Sequence, residues 1–424
     1  MISFLLKGLI RDRSRSLFPV LITAAGVALT VFMAAYGGGI LGQMIETTAK
    51  FQTGHVTVKT KALADHLQTN PMESALTDSD RWLRLLKENY PSLYWKYRIS
   101  FGGLLDIPDQ EGETLSQAPV IGMALDLLSG DGVETANLNL NKSIAKGAYP
   151  ARPGEILISD AFFEKLDLKI GQNATLISSD MNGAMVVYNF KVAGTVIFGV
   201  NALDRGAIIA DVTDIQQAFN MVDATLEIYG FFKNGSFQEA KALQMQQDFN
   251  LKHLKYDDIF SPVMMTLKDD EIMSYMLDMA KYVIFIIAVV FIFIVSIVLW
   301  NAGLMSGIRR YGEIGIRLAI GESKNHLYLS LLLESVLLGL GGYILGTLIG
   351  LIPAYLLQRY GLNLGTMMQS SDLVMPNIVR AEITRECFWI GLIPGVAAPF
   401  LGTLLSGLVV YKRQTAQLFK ELEV

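Results

Sequence analysis

The chain has 424 residues, 51% of them hydrophobic and 18% charged, with a formal net charge of −5. That composition is more apolar than an ordinary soluble globular chain and argues for a membrane protein with a water-exposed part. The mild charge, with no block of one sign, excludes a nucleic-acid surface.

Residues 1–16 set Ile2, Leu5, Leu6 and Leu9 beside Lys7, Arg11, Arg13 and Arg15, which reads as a cytoplasmic interfacial segment or as a plain basic tail. From Ser16 to Ile45 there is no Asp, Glu, Lys or Arg, and a first transmembrane helix is predicted over 17–45. The run is longer than the core of a cleaved signal peptide, and Phe18-Pro19 reads as a helix start, so the span is expected to remain as an anchor.

Residues 46–280 predict a large extracytoplasmic α+β domain inserted between the first and second transmembrane helices. Phe51 to Thr60 alternates as a strand punctuated by Gly54, and Thr77 to Asn89 reads as a helix capped by Asp78 or Ser79. Residues 101–141 are rich in Gly, Asp, Gln and Asn around a strand at Ala118 to Leu125, which suggests an inserted subdomain. Beyond them come a strand at Gly154 to Ile158, a helix from Ser159 to Leu166 capped by Ser159 or Asp160, and strands at Ala174 to Ile177, Met185 to Ile197 and Ala207 to Ala210. A helix at Asp214 to Asn220 and a strand at Glu227 to Phe232 follow.

Three more spans complete a fold of four transmembrane helices, over 281–305, 326–358 and 386–411, separated by a charged segment over 306–325 and a short extracytoplasmic loop over 359–385. Residues 412–424 form the tail. Lys7, Arg11, Arg13, Arg15, Arg309, Arg310, Arg317, Lys324, Lys412, Arg413 and Lys420 all fall on one side of this order, so the positive-inside rule predicts both termini and the charged segment in the cytoplasm. That segment, from Arg309 to Gly321, is amphipathic: Ile308, Ile316 and Ile320 recur along one side while Arg310, Glu313 and Arg317 mark the other, as in a helix lying on a membrane surface.

Chemistry is sparse. His55, His66, His253 and His326 lack metal-ligand spacing, no nucleophile elbow occurs, and Asp269-Asp270-Glu271 reads as a solvated face leading into the second span. Gly321-Glu322-Ser323-Lys324 lacks the spacing of a phosphate loop, so ATP, if used, is bound by another chain. The single cysteine, Cys387, has no internal disulfide partner and reads as a small hydrophobe. Glu334 lies inside the third span, about two to three turns past Lys324. Its cost there is eased if it pairs with Arg317 or Lys324 near the membrane boundary, a structural ion pair rather than a proton relay. Gly339, Gly341, Gly342, Gly346 and Gly350 have spacings suited to close helix approach, with lipid-facing flexibility as the rival reading.

The run R-R-Y-G-E-I-G-I-R-L-A-I-G from Arg309 to Gly321, followed by Glu334 in L-L-L-E-S-V-L-L-G-L-G-G-Y-I-L-G-T-L-I-G, resembles the cytoplasmic coupling region and third span of MacB/FtsX-type ABC transporter permeases. Gly147-Ala148-Tyr149-Pro150, Pro153 to Ser159, Leu168 to Gly171 and Val192 through Asp204 and Gln216 look like stretches of Lol-type lipoprotein-releasing permeases (LolC/LolE-like). The tail departs from the family at Thr415, where a proline is common. The resemblance implies a permease without its own ATPase site, in the bacterial inner membrane. It implies two copies of a cytoplasmic ABC ATPase holding ATP and Mg, a second permease of the same or a different chain, membrane lipid, and no cofactor in this chain.

It also implies that Arg309, Arg310, Glu313, Ile314, Gly315, Arg317 and Gly321 meet the ATPase, and that movement passes to the outer domain to extract or export an amphiphile, most plausibly a lipoprotein. A stiff helix from Lys268 to Leu304 would carry the load, and Met33, Met264, Met265, Met273 and Met276 would meet the substrate. The alternatives are a MacB-like exporter of small amphiphiles or peptides, and a non-transporting transducer that regulates an extracytoplasmic enzyme.

Overall fold

The computed structural model describes residues 13–65, 71–109, 111–130, 132–269, 271–308, 311–364 and 377–407. The basic residues before Arg13, His66, Arg309, Arg310 and the tail beyond 407 lie outside them. The chain divides into two compact units, one of Met1–Gly42, Asp278–Leu362 and Val379–Val424, the other of Gln43–Leu277 and Asn363–Ile378.

The first unit holds the apolar helices. Among the described residues four are long and apolar enough to cross a membrane: Ser16–Thr53, Leu277–Asn301, Lys324–Tyr360 and Glu386–Gly407. The first begins as an α-helix at Arg13, so Pro19 lies inside it rather than at its start. The helix runs on regardless, giving up the one backbone bond that proline cannot donate. The fourth is built in pieces, Glu386–Ile390, a π-helical stretch Ile393–Ala397 around Pro394, and Ala398–Gly407.

Small residues let these helices approach. Gly342, Gly346 and Gly350, four apart on the third span, lie against Thr23, Ala24 and Ala28 of the first. An added Cβ would come within 2.6 Å of Thr23 Cβ at Gly342 and 2.5 Å of the Ala24 carbonyl at Gly346. Gly339 meets Gly395 and Val396 of the fourth span, and Gly402 there meets Trp300 of the second. Val27, fully buried, lies beside Gly346, Gly391 and Gly395 at once. The glycine spacing therefore marks close packing, except at Gly341, whose nearest neighbour would be 4.0 Å away.

The second unit is an α+β domain on a ten-stranded sheet. Its strands are β1 Val56–Thr60, β2 Leu93–Pro108, β3 Thr114–Leu125, β4 Ile144–Gly147, β5 Glu155–Ser159, β6 Asn173–Ser179, β7 Met185–Val196, β8 Ala207–Asp211, β9 Glu227–Phe232 and β10 Pro262–Thr266. The order is β10-β1-β9-β2-β3-β8-β5-β7-β4, with β6 joining β2 to β7. Strands β2, β3, β8, β5, β7 and β6 thus pair in a closed circuit, which leaves no free edge among them. One face of each, with Ile99, Phe101, Leu105, Val120, Ile156, Ile158, Leu176, Phe190 and Ile208, fills the interior.

Two helices add Phe162, Phe163, Ile215 and Phe219 to that core. Ser159 caps the first, accepting from the Phe162 amide, and Asp211 caps the second. The helix Ser79–Asn89 follows Asp78 in a left-handed turn, and its free amides are served from a distance: Asp223 accepts from the Asp80 N–H at 2.9 Å and from the Ser79 hydroxyl at 3.1 Å.

Residues 101–141 are not an inserted subdomain. Strands β2 and β3 pair along nearly their whole length and β3 runs parallel to β8, so this stretch founds the barrel. Its glycines serve the packing: a Cβ at Gly122 would strike the Phe101 ring. Two further expectations change. Phe51 to Thr53 belong to a π-helical turn, Ala49–Thr53, that ends the first helix, and Gly54 at φ 64° turns the chain into β1. Lys268 lies in a turn after β10 and the second long helix starts at Glu271, so the helix does not extend back through Lys268.

Strand β10 is an edge, and it is blunted. Pro262 has no N–H, the Asn250 carboxamide takes both the amide (2.8 Å) and the carbonyl (2.9 Å) of Met264, and Asp269 takes the Thr266 amide. Asp269, read as solvated, is instead half-buried and holds Gln246 and the Thr266 hydroxyl as well.

Candidate functional site

The charged segment forms a helix, Tyr311–Ala319. Glu313 and Ile314 lie in it, with side chains outside the described residues; Gly315 is buried and Arg317 half-buried. Leu318, three residues on from Gly315, packs on Leu327 and Leu331 of the third span. Ile316 and Ile320 are exposed, by 50% and 83%, and leave an apolar surface facing away from that contact.

Gly321, at φ 98°, ends the helix. The Gly321 amide donates to the Leu318 carbonyl and the Glu322 amide to that of Arg317, both at 3.1 Å, which is the paired C-terminal cap that a left-handed glycine permits. Ser323 then caps the third span by accepting from the His326 amide. Two helices are therefore joined through four residues, Ile320 to Ser323, the last three of which make capping bonds.

A side-chain brace spans this turn. Glu322 Oε2 receives Arg317 Nε at 2.8 Å, and Oε1 receives Arg317 Nη2 at 3.2 Å and lies 2.8 Å from His326 Nδ1. The bond to His326 first, and then the Arg317 charge, hold the Glu322 carboxyl below the ordinary carboxylate range. Arg317, one of the two partners expected for Glu334 beside Lys324, makes an ion pair with Glu322, five residues on, because the glycine cap folds the two together. Glu334 is half-buried, in the third span. Glu322 and His326 were absent from the sequence-level site, although a helix ending in Gly-Glu-Ser was a readable signal.

The methionines do not form one surface. Met264 is fully buried in the core beneath β1 and β9 with Trp95 and Phe249, which removes it as a substrate contact. Met33 and Met265 are half-buried, and the side chains of Met273 and Met276 lie outside the described residues. Among the described residues no three His, Cys, Asp or Glu side chains gather as a metal site.

One unit of long apolar helices, two of them joined through a capped surface helix, and one α+β unit define a membrane protein with a large folded domain. Residues 285–415, which hold the surface helix and most of the last three spans, match the family described as FtsX-like permease C-terminal. The match covers less than a third of the 424 residues, and it supports a transporter permease subunit, of the kind that works with a cytoplasmic ABC ATPase, over an enzyme. Among solved structures, the periplasmic region of MacB from Actinobacillus actinomycetemcomitans is similar at 11% identity, covering 52% of this chain and 91% of that one, with a TM-score of 0.33. At that level the likeness bears on neither substrate nor partner. No curated protein matches the chain.

Proposed function

We propose that this chain is the permease subunit of an ATP-binding-cassette mechanotransmission complex, in which a separate cytoplasmic ATPase presses on the helix Tyr311–Ala319 and the movement reaches the α+β unit. The observation that carries this is the FtsX-like match over 285–415 falling on that helix and its braced turn. A helix fixed at its C-terminal end by a glycine cap and a carboxylate clamp passes a push into the third span instead of absorbing it. The charge asymmetry of the loops supports a cytoplasmic surface helix and an extracytoplasmic α+β unit. ATP and Mg belong to the ATPase.

The substrate is an amphiphile drawn from the outer leaflet of the bacterial inner membrane, and the Lol-type stretches from Gly147 to Gln216 favour a lipoprotein. Gentle copurification from native membrane tests the complex: an ATPase and a second permease, the same chain or another, should accompany this one, and recovery without any ATPase would overturn the reading. Reconstitution then tests transport, since ATP hydrolysis without release of lipoprotein or movement of a small amphiphile would favour a transducer. Because Arg317 already holds Glu322, the clean test of docking is Glu313→Lys, which should lower ATPase recovery while the chain still inserts.

A further inference from the structure

The last turn of the first helix enters the α+β unit in an unusual way. Widening to a π-turn over Ala49–Thr53 leaves its carbonyls to be satisfied from outside. Each has a partner. The Gly54 amide reaches Ala49, the Arg98 guanidinium reaches the Lys50 carbonyl, the Tyr229 hydroxyl is shared between the Gln52 carbonyl and Glu227 Oε2, and the Thr57 hydroxyl reaches Thr53. A cation thus stands at the negative end of the helix, where the macrodipole favours it.

Arg98 is 2% exposed and Glu134, whose Oε2 lies 2.8 Å from Arg98 Nη2, is fully buried. The guanidinium lies 5.0 Å from the Tyr229 ring and 5.4 Å from that of Phe231. Arg98 Nε and Glu134 Oε1 remain buried without a hydrogen-bond partner. A buried ion pair left partly unsatisfied is a poor source of stability, but a planar guanidinium held on both sides fixes geometry well. Its place in the sheet matters equally. Arg98 is the last residue of β2 paired with β9, and Ile99 is the first paired with β3; Glu134 sits on Val133–Asn137, the helix that follows β3. One side chain ties the helix end to both halves of the sheet.

We infer that Arg98, seated between Lys50, Glu134 and Tyr229, is the positioning residue that makes the end of the first span helix and the sheet move as one body, so that a displacement of the span becomes a displacement of the whole α+β unit. This rests on the permease reading for its purpose, though the joint itself can be tested without it. Stability alone would be served by an apolar contact; the polar seat commits the helix to one rotation and one height.

The test uses the full chain in nanodiscs with its copurified ATPase, in a Cys387→Ser background. Nitroxides are placed at Glu46→Cys, exposed near the end of the helix, and at Tyr94→Cys, 41% exposed on β2. Without nucleotide the parent should give one narrow distance distribution. Arg98→Gln should at least double its width; because that change strands Glu134 and can unfold the unit, Arg98→Gln/Glu134→Gln and Tyr229→Phe are measured too, with Arg98→Lys as a partial rescue. An unchanged width in the folded double variant overturns the inference.

With ATP and Mg the double variant should keep turnover within about twofold of the parent, and with vanadate then added to trap the nucleotide state its α+β unit should lose the nucleotide-dependent change in hydrogen exchange. A retained change would also overturn the inference. If the parent itself shows no nucleotide-dependent change, the permease reading fails, and the joint is still decided by the nucleotide-free widths.

Discussion

His55 offers a quantitative check on how the α+β unit is built where the first helix enters it. The residue follows Gly54, is 4% exposed, and accepts the Phe232 amide at Nδ1 (2.9 Å) with the rings of Phe231, Phe232 and Phe237 around it. Burial lowers its pKa from 6.5 to about 4, with Glu46 opposing and Lys50 assisting. Since the folded value lies below the unfolded one, protons bind the unfolded chain better. The contribution of a neutral His55 is complete above the unfolded pKa and is lost as pH falls toward and through the folded one.

Linkage between those two values puts the loss at about 2 kcal/mol by pH 5 and about 3 kcal/mol by pH 4. Asp204 and Asp214 act in the opposite sense: burial raises both carboxyls, so their contributions are present at low pH and lost as pH rises. The His55 share is therefore read by difference against His55→Gln, whose side-chain carbonyl can still accept from Phe232. Urea pulse proteolysis of the full chain in nanodiscs, from neutral pH down to about pH 4, supplies both curves. The parent should lose about 3 kcal/mol more than the variant over that range. Parallel loss in the two would show that His55 is not held neutral by its cage and would refute the reasoning.

Three further outcomes follow from the packing. Gly346→Leu should destabilise the helical unit by about 1–3 kcal/mol through overpacking on Ala24 and Val27, whereas Gly341→Leu, with open space beside it, should be neutral in the same thermal unfolding measurement. Asn250→Ala should cost about 1–2 kcal/mol and promote self-association by size-exclusion chromatography, because it bares the amide and carbonyl of Met264 on the edge strand; a monodisperse variant of full stability would count against the edge-blocking role. Glu322→Gln should cost less than about 1 kcal/mol of stability, as its ion pairs are partly exposed, yet speed proteolysis of the turn at 320–324 several-fold. The same loosening should be seen in the parent as pH falls through the depressed Glu322 pKa, since a carboxylate lowered in the folded state contributes only above that range.

The fold of the α+β unit was legible wherever a signal was local. Strands from Glu155 to Ser159, Met185 to Val196 and Glu227 to Phe232 show themselves by alternation, and the Ser159 cap by its own side chain. What alternation could not show is closure. Strand β2 looks like loop-rich sequence because Gly102 and Gly103 interrupt it, and β3 carries Gly122, yet Gly103 and Gly122 are needed where Leu176 and the Phe101 ring press on the backbone. The π-turn at Ala49–Thr53 was misread as strand for a related reason: its carbonyls are satisfied by Arg98 and Tyr229, 48 and 177 residues away from their acceptors, and no window on the sequence contains both.

The turn from Ile320 to Ser323 shows where the boundary of legibility lies. Arg317 and Glu322 are five apart, a spacing that pairs nothing on a continuous helix, so a search at three and four residues passes over them. The left-handed Gly321 makes the pair by reversing the chain between them, and His326 completes it four residues later on a new helix. A glycine that ends one helix one residue before a carboxylate and two before a serine N-cap is therefore better read as the centre of a brace than as a break. On that reading the rigidity of the segment lies in Gly321, Glu322 and Ser323, and Ile316 and Ile320 stay exposed beside it.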